Sequence, residues 1–134
     1  MLETFELVAK AVADPSRVRI LKLLEGGELC VCQIATVLDL AAATISKHLA
    51  QLRSAGLLQQ RRDGKWVYYR LAEKELNPYA GKFQALLSQM LQDDPALQED
   101  QRILALVNQQ PLSVICDQGR AALFGTTSAC CGDS

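Results

Sequence analysis

Five cysteines carry the most specific chemistry available to this chain: Cys30, Cys32, Cys116, Cys130 and Cys131. Cys30 and Cys32 stand one residue apart at the predicted start of a helix, a placement that packing of a small apolar side chain does not explain. A helix start favours thiolate, the form that binds soft ions. Residues at i and i+2 do not share a helix face. Both sulfurs therefore reach one ion only where the backbone is extended or unwound, and an ion gripping both is expected to distort the start of that helix. Met1 is followed by acidic residues and an amphipathic pattern, without a basic segment leading into a continuous apolar run. The expected setting is soluble and cytoplasmic, with no membrane association. In such a reducing compartment paired thiols more often serve metal binding or redox chemistry than structural disulfides, and an odd count fits that expectation.

A second set of residues suits phosphate and base contacts. The net charge is -1, but the charges are sorted by region. Residues 41–74 hold seven Lys or Arg against two acids, whereas 91–134 hold two Arg against six acids. A basic stretch inside an acidic chain is what nucleic-acid contact needs, because only the contacting surface must be positive. Within it, Ile45, Leu49 and Leu52 repeat at helical spacing, and the opposite face carries Ala43, Ser46, Lys47, Ala50 and Gln51. Small side chains there let the backbone approach a groove floor, and Ser46, Lys47 and Gln51 can bond base edges or phosphates. Thr44 lies near the helix N-terminus, where free N–H groups favour a phosphate.

These residues must be positioned by elements that are themselves legible. Hydrophobic residues make up 49% and aromatic residues only 5%, so the core is expected to be aliphatic and the fold mainly α. A first amphipathic helix ends near Ala13, and Asp14-Pro15 caps a second that stops at Gly26-Gly27. A short third helix covers Val31 to Leu38, and a fourth runs from Ala41 to Ala55 with Gly56 as its stop. Two short helices with a tight break at Asp39-Leu40 form a helix-turn-helix candidate. The segments Leu57–Arg62 and Lys65–Leu71 then read as strands joined at Asp63-Gly64, a β-hairpin wing with Arg61, Arg62 and Lys65 at its tip. Asn77-Pro78 caps a fifth helix carrying Tyr79, Phe83, Leu86, Leu87 and Met90, and Asp94-Pro95 opens a sixth. After Gln110 the pattern fades and reads as a mobile tail. The expected architecture is a winged helix-turn-helix over residues 1–91, for DNA binding and dimerisation, with a C-terminal extension over 92–134.

The run Ala43-Thr44-Ile45-Ser46-Lys47-His48-Leu49-Ala50-Gln51-Leu52-Arg53-Ser54-Ala55-Gly56-Leu57 closely resembles the recognition helix of the ArsR/SmtB family of metal-responsive repressors. Leu29-Cys30-Val31-Cys32 resembles the arsenic-site motif of its arsenical branch. The resemblance extends through Asp14-Pro15-Ser16-Arg17, Ile20-Leu21 and the Asp63-Gly64 wing, roughly residues 2 to 90. It implies a homodimer through the Leu2–Val12 and Tyr79–Met90 helices, operator binding that calls for no cofactor, and release when the inducer binds. The implied inducer is As(III) or Sb(III), held by three sulfurs in a pyramid. The family pattern has a further Cys where this chain has Ala35. Cys116, Cys130 and Cys131 are the available third ligands, and the Cys130-Cys131 pair could form a separate site. The family's zinc-type site on the fifth helix needs histidines. His48, the only histidine, lies beside the buried stripe and reads as a packing or hydrogen-bonding residue.

Other chemistries compete. Cadmium or lead binding by thiolates stays open, because ligand identity alone does not assign a soft ion, and cysteine oxidation could replace ion binding as the input. An enzymatic use of the thiols, as in arsenate reduction, lacks support: Arg120 follows Cys116 by four residues, one short of the usual phosphate-cradling spacing, without a Gly-rich loop or a His-based triad.

Overall fold

The computed structural model of the chain describes residues 1–124. Its opening helix, α1 (Leu2–Val12), buries Val8 and Ala11 and leaves Leu2 and Phe5 exposed. Asp14 then stops and restarts the chain: its carboxylate accepts the Arg17 N–H at 3.0 Å, and Pro15 occupies the first turn of α2 (Pro15–Leu24). That cap satisfies one of the orphan donors of a helix start. α2 buries Ile20, Leu21, Leu23 and Leu24, so it is a central element of the core.

Gly27, at φ 131°, turns the chain into a two-residue strand, β1 (Leu29–Cys30). α3 (Val31–Leu38) follows without an intervening loop, and Asp39 closes it in the left-handed region at φ 59°. α4 (Ala42–Ser54) buries Ile45, Leu49 and Leu52, as the helical spacing predicts. The wing is β2 (Leu58–Asp63) and β3 (Trp66–Leu71), antiparallel, with β1 added on the far side of β3 in the order β1-β3-β2. Asp63 pairs with Trp66, which leaves Gly64 and Lys65 as the hairpin loop. The predicted turn at Asp63-Gly64 is therefore one residue early. Only Gly64 of the two loop residues has positive φ, at 63°, and a glycine at the first loop position suits the twist of paired strands.

α5 (Ala80–Ser88) starts from Asn77, whose side-chain oxygen accepts the N–H groups of Tyr79 and Ala80, each at 2.9 Å. α6 (Pro95–Val107) is capped by Asp94, as the Asp-Pro pair predicts. It docks on α2 through Arg19, which donates two bonds of 2.8 Å to the buried Asp100 carboxylate. The contact to Asp100 outweighs desolvation and raises the Arg19 pKa above its ordinary value.

The fading pattern after Gln110 does not mark the end of order. α7 (Leu112–Gln118) and α8 (Ala121–Phe124) follow, with Ile115 buried in the common core. A seven-residue helix lacks the length to be stable alone, so contact with α3 supplies what periodicity could not announce. Ile103, Leu104 and Val107 of α6 join the same hydrophobic cluster as Ile34, Ile45 and Leu49. No helix among the described residues is long and apolar enough to cross a membrane.

Candidate thiol centre and nucleic-acid interface

Cys30 and Cys32 meet because a strand ends where a helix begins. Cys30 pairs with Tyr68 as the last residue of β1 and keeps an extended backbone, φ -85° and ψ 156°, at the N-cap of α3. Its N–H is held by the Gln33 side chain at 2.8 Å. Cys32 lies in the first turn of α3, and its sulfur is 3.9 Å from that of Cys30. The extended backbone that two sulfurs on one ion require thus already exists at Cys30.

The third thiol comes from α7. Cys116 is disulfide-bonded to Cys32, with the two Cα atoms 5.1 Å apart, and Cys30 is a free, buried thiol. The three sulfurs lie within 4.8 Å of one another, close enough for one soft ion to gather all three once the disulfide is reduced. A shallow pocket of about 270 Å³ opens beside them, lined by Ala35, Thr36, Ile115 and Arg120 among others. Ala35 and Cys116 border the same space, so α7 delivers a sulfur beside the position where Ala35 offers none. Cys130 and Cys131 lie outside the described residues.

Arg120 locks this arrangement. Gly119, at φ 58°, turns the chain after α7, and the Arg120 guanidinium then donates to the Thr36 and Val37 carbonyls at 2.9 and 2.8 Å. Those are carbonyls in the last turn of α3, where a cation is favoured. The Asp39 carboxylate is 3.9 Å from the same guanidinium. The spacing of Arg120 from Cys116 speaks only against a phosphate loop, and Gly119-Arg120 closely following Cys116 is the sequence signal for this contact.

On α4, Thr44, Ser46, Lys47 and Gln51 are all exposed, on the side away from the buried stripe. His48 is half-buried, with Nδ1 3.3 Å from an Arg17 guanidinium nitrogen. Arg17 also donates to the carbonyls of Ala11 and Lys10, which ties the end of α1 to α4. The wing residues Arg61, Arg62 and Lys65 are exposed but not equivalent. Arg61 bonds Glu28 at 2.7 Å, lies 3.9 Å from Asp63 and stacks over Tyr68, and these contacts raise its pKa, the Glu28 bond most of all. Lys65 sits over the Trp66 ring. Arg62 makes no ion pair among the described residues.

Residues 14–60 match the model of the bacterial regulatory protein arsR family. Across 66 residues the chain is 53% identical to the arsenic resistance transcriptional regulator ArsR1 of Pseudomonas putida, covering 48% of this chain and 52% of that one. It is 55% identical over 64 residues to the arsenical resistance operon repressor of Escherichia coli, 47% of this chain and 55% of that one. The chain thus spans about half the length of the curated relatives it matches. In structure it is similar to the homodimeric winged helix-turn-helix DNA-binding domain Mb0332 of Mycobacterium bovis, named as a possible ArsR-family regulator. That likeness has a TM-score of 0.57 at 36% identity and covers 66% of this chain and 78% of the other.

Proposed function

Because the chain belongs to the arsR family of bacterial regulatory proteins, we propose that it is a metalloid-responsive transcriptional repressor and not an enzyme. The dimer binds operator DNA in the ligand-free, reduced state and releases it when As(III) or Sb(III) is captured by Cys30, Cys32 and Cys116. The observation that carries this reading is the meeting of three sulfurs within 4.8 Å at the junction of β1, α3 and α7. Thiolate sulfur is the donor that soft ions select. Residues 1–91 act as the DNA-binding and dimerisation unit, and the 92–134 extension contributes the third ligand.

Thr44, Ser46, Lys47 and Gln51 face the major groove, while Arg61, Arg62 and Lys65 reach the adjacent backbone. The dimer forms through α1 and α5. Its exposed Leu2, Phe5, Leu86 and Met90 are the apolar surface that a second copy would cover. The setting is the cytoplasm.

Titration of the reduced protein with arsenite, read by operator release and by X-ray absorption, tests the proposal. Wild-type protein should show three sulfurs per arsenic, and Cys30→Ser, Cys32→Ser and Cys116→Ser should each bind operator normally yet ignore arsenite. Normal release by Cys116→Ser would transfer the third-ligand role to Cys130 or Cys131.

The Cys32–Cys116 disulfide favours a second reading, in which oxidation is the input. Two thiols would pass two electrons and two protons to a peroxide, whose O–O bond breaks to give two waters, or one alcohol and one water from an alkyl hydroperoxide, and the disulfide would replace the ion. Release of the reduced protein by peroxide but not by arsenite or antimonite would select this reading.

A further inference from the structure

We infer that Arg120 couples the thiol centre to the recognition helix, acting as a positioning residue that carries the state of Cys116 to the turn between α3 and α4. The inference rests on the repressor reading above and adds the route by which a sulfur ligand reaches the DNA-binding surface.

The geometry divides α3 into two ends held by one neighbour. At its start are Cys30 and Cys32, and at its finish are the Thr36 and Val37 carbonyls and the left-handed residue Asp39. α7 touches both. Cys116 meets the start, and Arg120, four residues later, holds the finish with two hydrogen bonds of 2.8 to 2.9 Å. Between the two contacts Gly119 turns the chain.

Inside α3 a further link runs along the helix, since the Thr36 hydroxyl donates to the Cys32 carbonyl at 2.7 Å. Only Leu38, Asp39, Leu40 and Ala41 separate Val37, the nearer of Arg120's carbonyl partners on α3, from Ala42, the first residue of α4. Of the three sulfurs, Cys116 alone is carried by α7. An ion that gathers them must therefore set the position of α7 relative to α3. Cys116 lies two residues from the end of α7, so a shift there is carried through Gly119 to Arg120. The guanidinium then either follows the carbonyls of α3 or leaves them.

Loss of those bonds frees last-turn carbonyls of α3 and the Asp39 carboxylate beside them. The turn is where the angle between the two helices of the DNA-binding motif is decided. Without Arg120 the ion still binds, since Arg120 supplies no ligand, but the message stops at α7.

The test compares wild type, Arg120→Ala and Arg120→Lys, full-length and reduced. Arsenite stoichiometry and sulfur count are measured first, then operator affinity with and without saturating arsenite. Wild type should lose operator affinity by about 5- to 150-fold, the usual range of allosteric coupling. Arg120→Ala should bind arsenite with the wild-type sulfur count but change operator affinity by less than about twofold. Arg120→Lys, which keeps the charge without the two-pronged donation, should fall between them. Coupling is reciprocal, so operator DNA should weaken arsenite binding in wild type and not in Arg120→Ala. A merely structural role would not remove that reciprocity while sparing the sulfur count.

Full arsenite-driven release by Arg120→Ala would overturn the inference while leaving the repressor reading intact. If Arg120→Ala fails to fold or to bind operator, Arg120→Lys decides: release of wild-type size overturns the inference, and weakened release with an intact sulfur count supports it. A wild-type protein that takes up no arsenite overturns the parent reading and the coupling with it.

Discussion

Arg61 and Arg62 are adjacent and equally charged, yet their surroundings give them different work. Arg61 is held by Glu28 at 2.7 Å and stacked on Tyr68, so much of its positive charge is already answered within the protein. Arg62 projects from the other face of β2 without an ion-pair partner among the described residues. On phosphate, a free cation releases one counterion more effectively than a neutralised one. Arg62→Ala should therefore lower the slope of log affinity against log salt by about one. Arg61→Ala should lower it by less, and Glu28→Gln should steepen it by releasing Arg61. Operator binding measured across a salt series checks all three, and equal slopes for the two arginine variants would remove the distinction.

At the scale of elements, the junction between α4 and α5 is fastened by one glycine and one asparagine. Gly56 sits at φ 81°, and a Cβ there would lie 2.7 Å from the Asn77 amide nitrogen. That nitrogen donates to the Ala55 carbonyl at 2.9 Å, while the other end of the amide receives the first N–H groups of α5. One side chain thus closes one helix and opens another, and it needs the room that glycine leaves. Gly56→Ala should cost about 1–3 kcal/mol, the usual range for a residue forced into that backbone region. Denaturant unfolding measures the loss, and a shift below about 0.5 kcal/mol would show that Asn77 moves aside freely. The consequence should extend to operator binding, because the same junction sets α5 against the helix that carries Ser46 and Lys47.

For the molecule as a whole, the exposed apolar side chains are the feature that a single chain leaves unexplained. Leu2 is 80% exposed and Leu86 54%, and Phe5, 44% exposed, packs edge-on against Tyr79 at 5.5 Å and beside Phe83 at 5.8 Å. This surface joins α1 to α5, and a two-fold contact would cover the same patch on both copies. Leu86→Glu should place a charge in that contact and yield monomers by sedimentation, with operator affinity reduced because two half-sites are no longer engaged together. A dimer of unchanged stability would move the interface elsewhere. Arg17 lies between this surface and α4, holding the end of α1 and His48 at once, so α1 is mechanically continuous with α4.

Local chemistry determines much of this protein independently of its tertiary packing. Asp14-Pro15 and Asp94-Pro95 announced two helix starts because caps depend on adjacent residues. The Ile45, Leu49, Leu52 stripe and the change to strand spacing after Gly56 announced α4 and the wing because burial follows the period of each element. Cys30 and Cys32 were visible as a thiol pair from their spacing. Tertiary structure decided the rest. The extended backbone at Cys30 comes from pairing with β3, almost 40 residues downstream, and the hairpin loop slipped by one residue because register is a property of two strands together. α7 exists by burying Ile115 against α3, and that contact brings Cys116 to Cys32 across 84 positions. Spacing along a chain identifies groups that act within one element. A centre built from a strand end, a helix start and a distant short helix is set by packing, which no local pattern records.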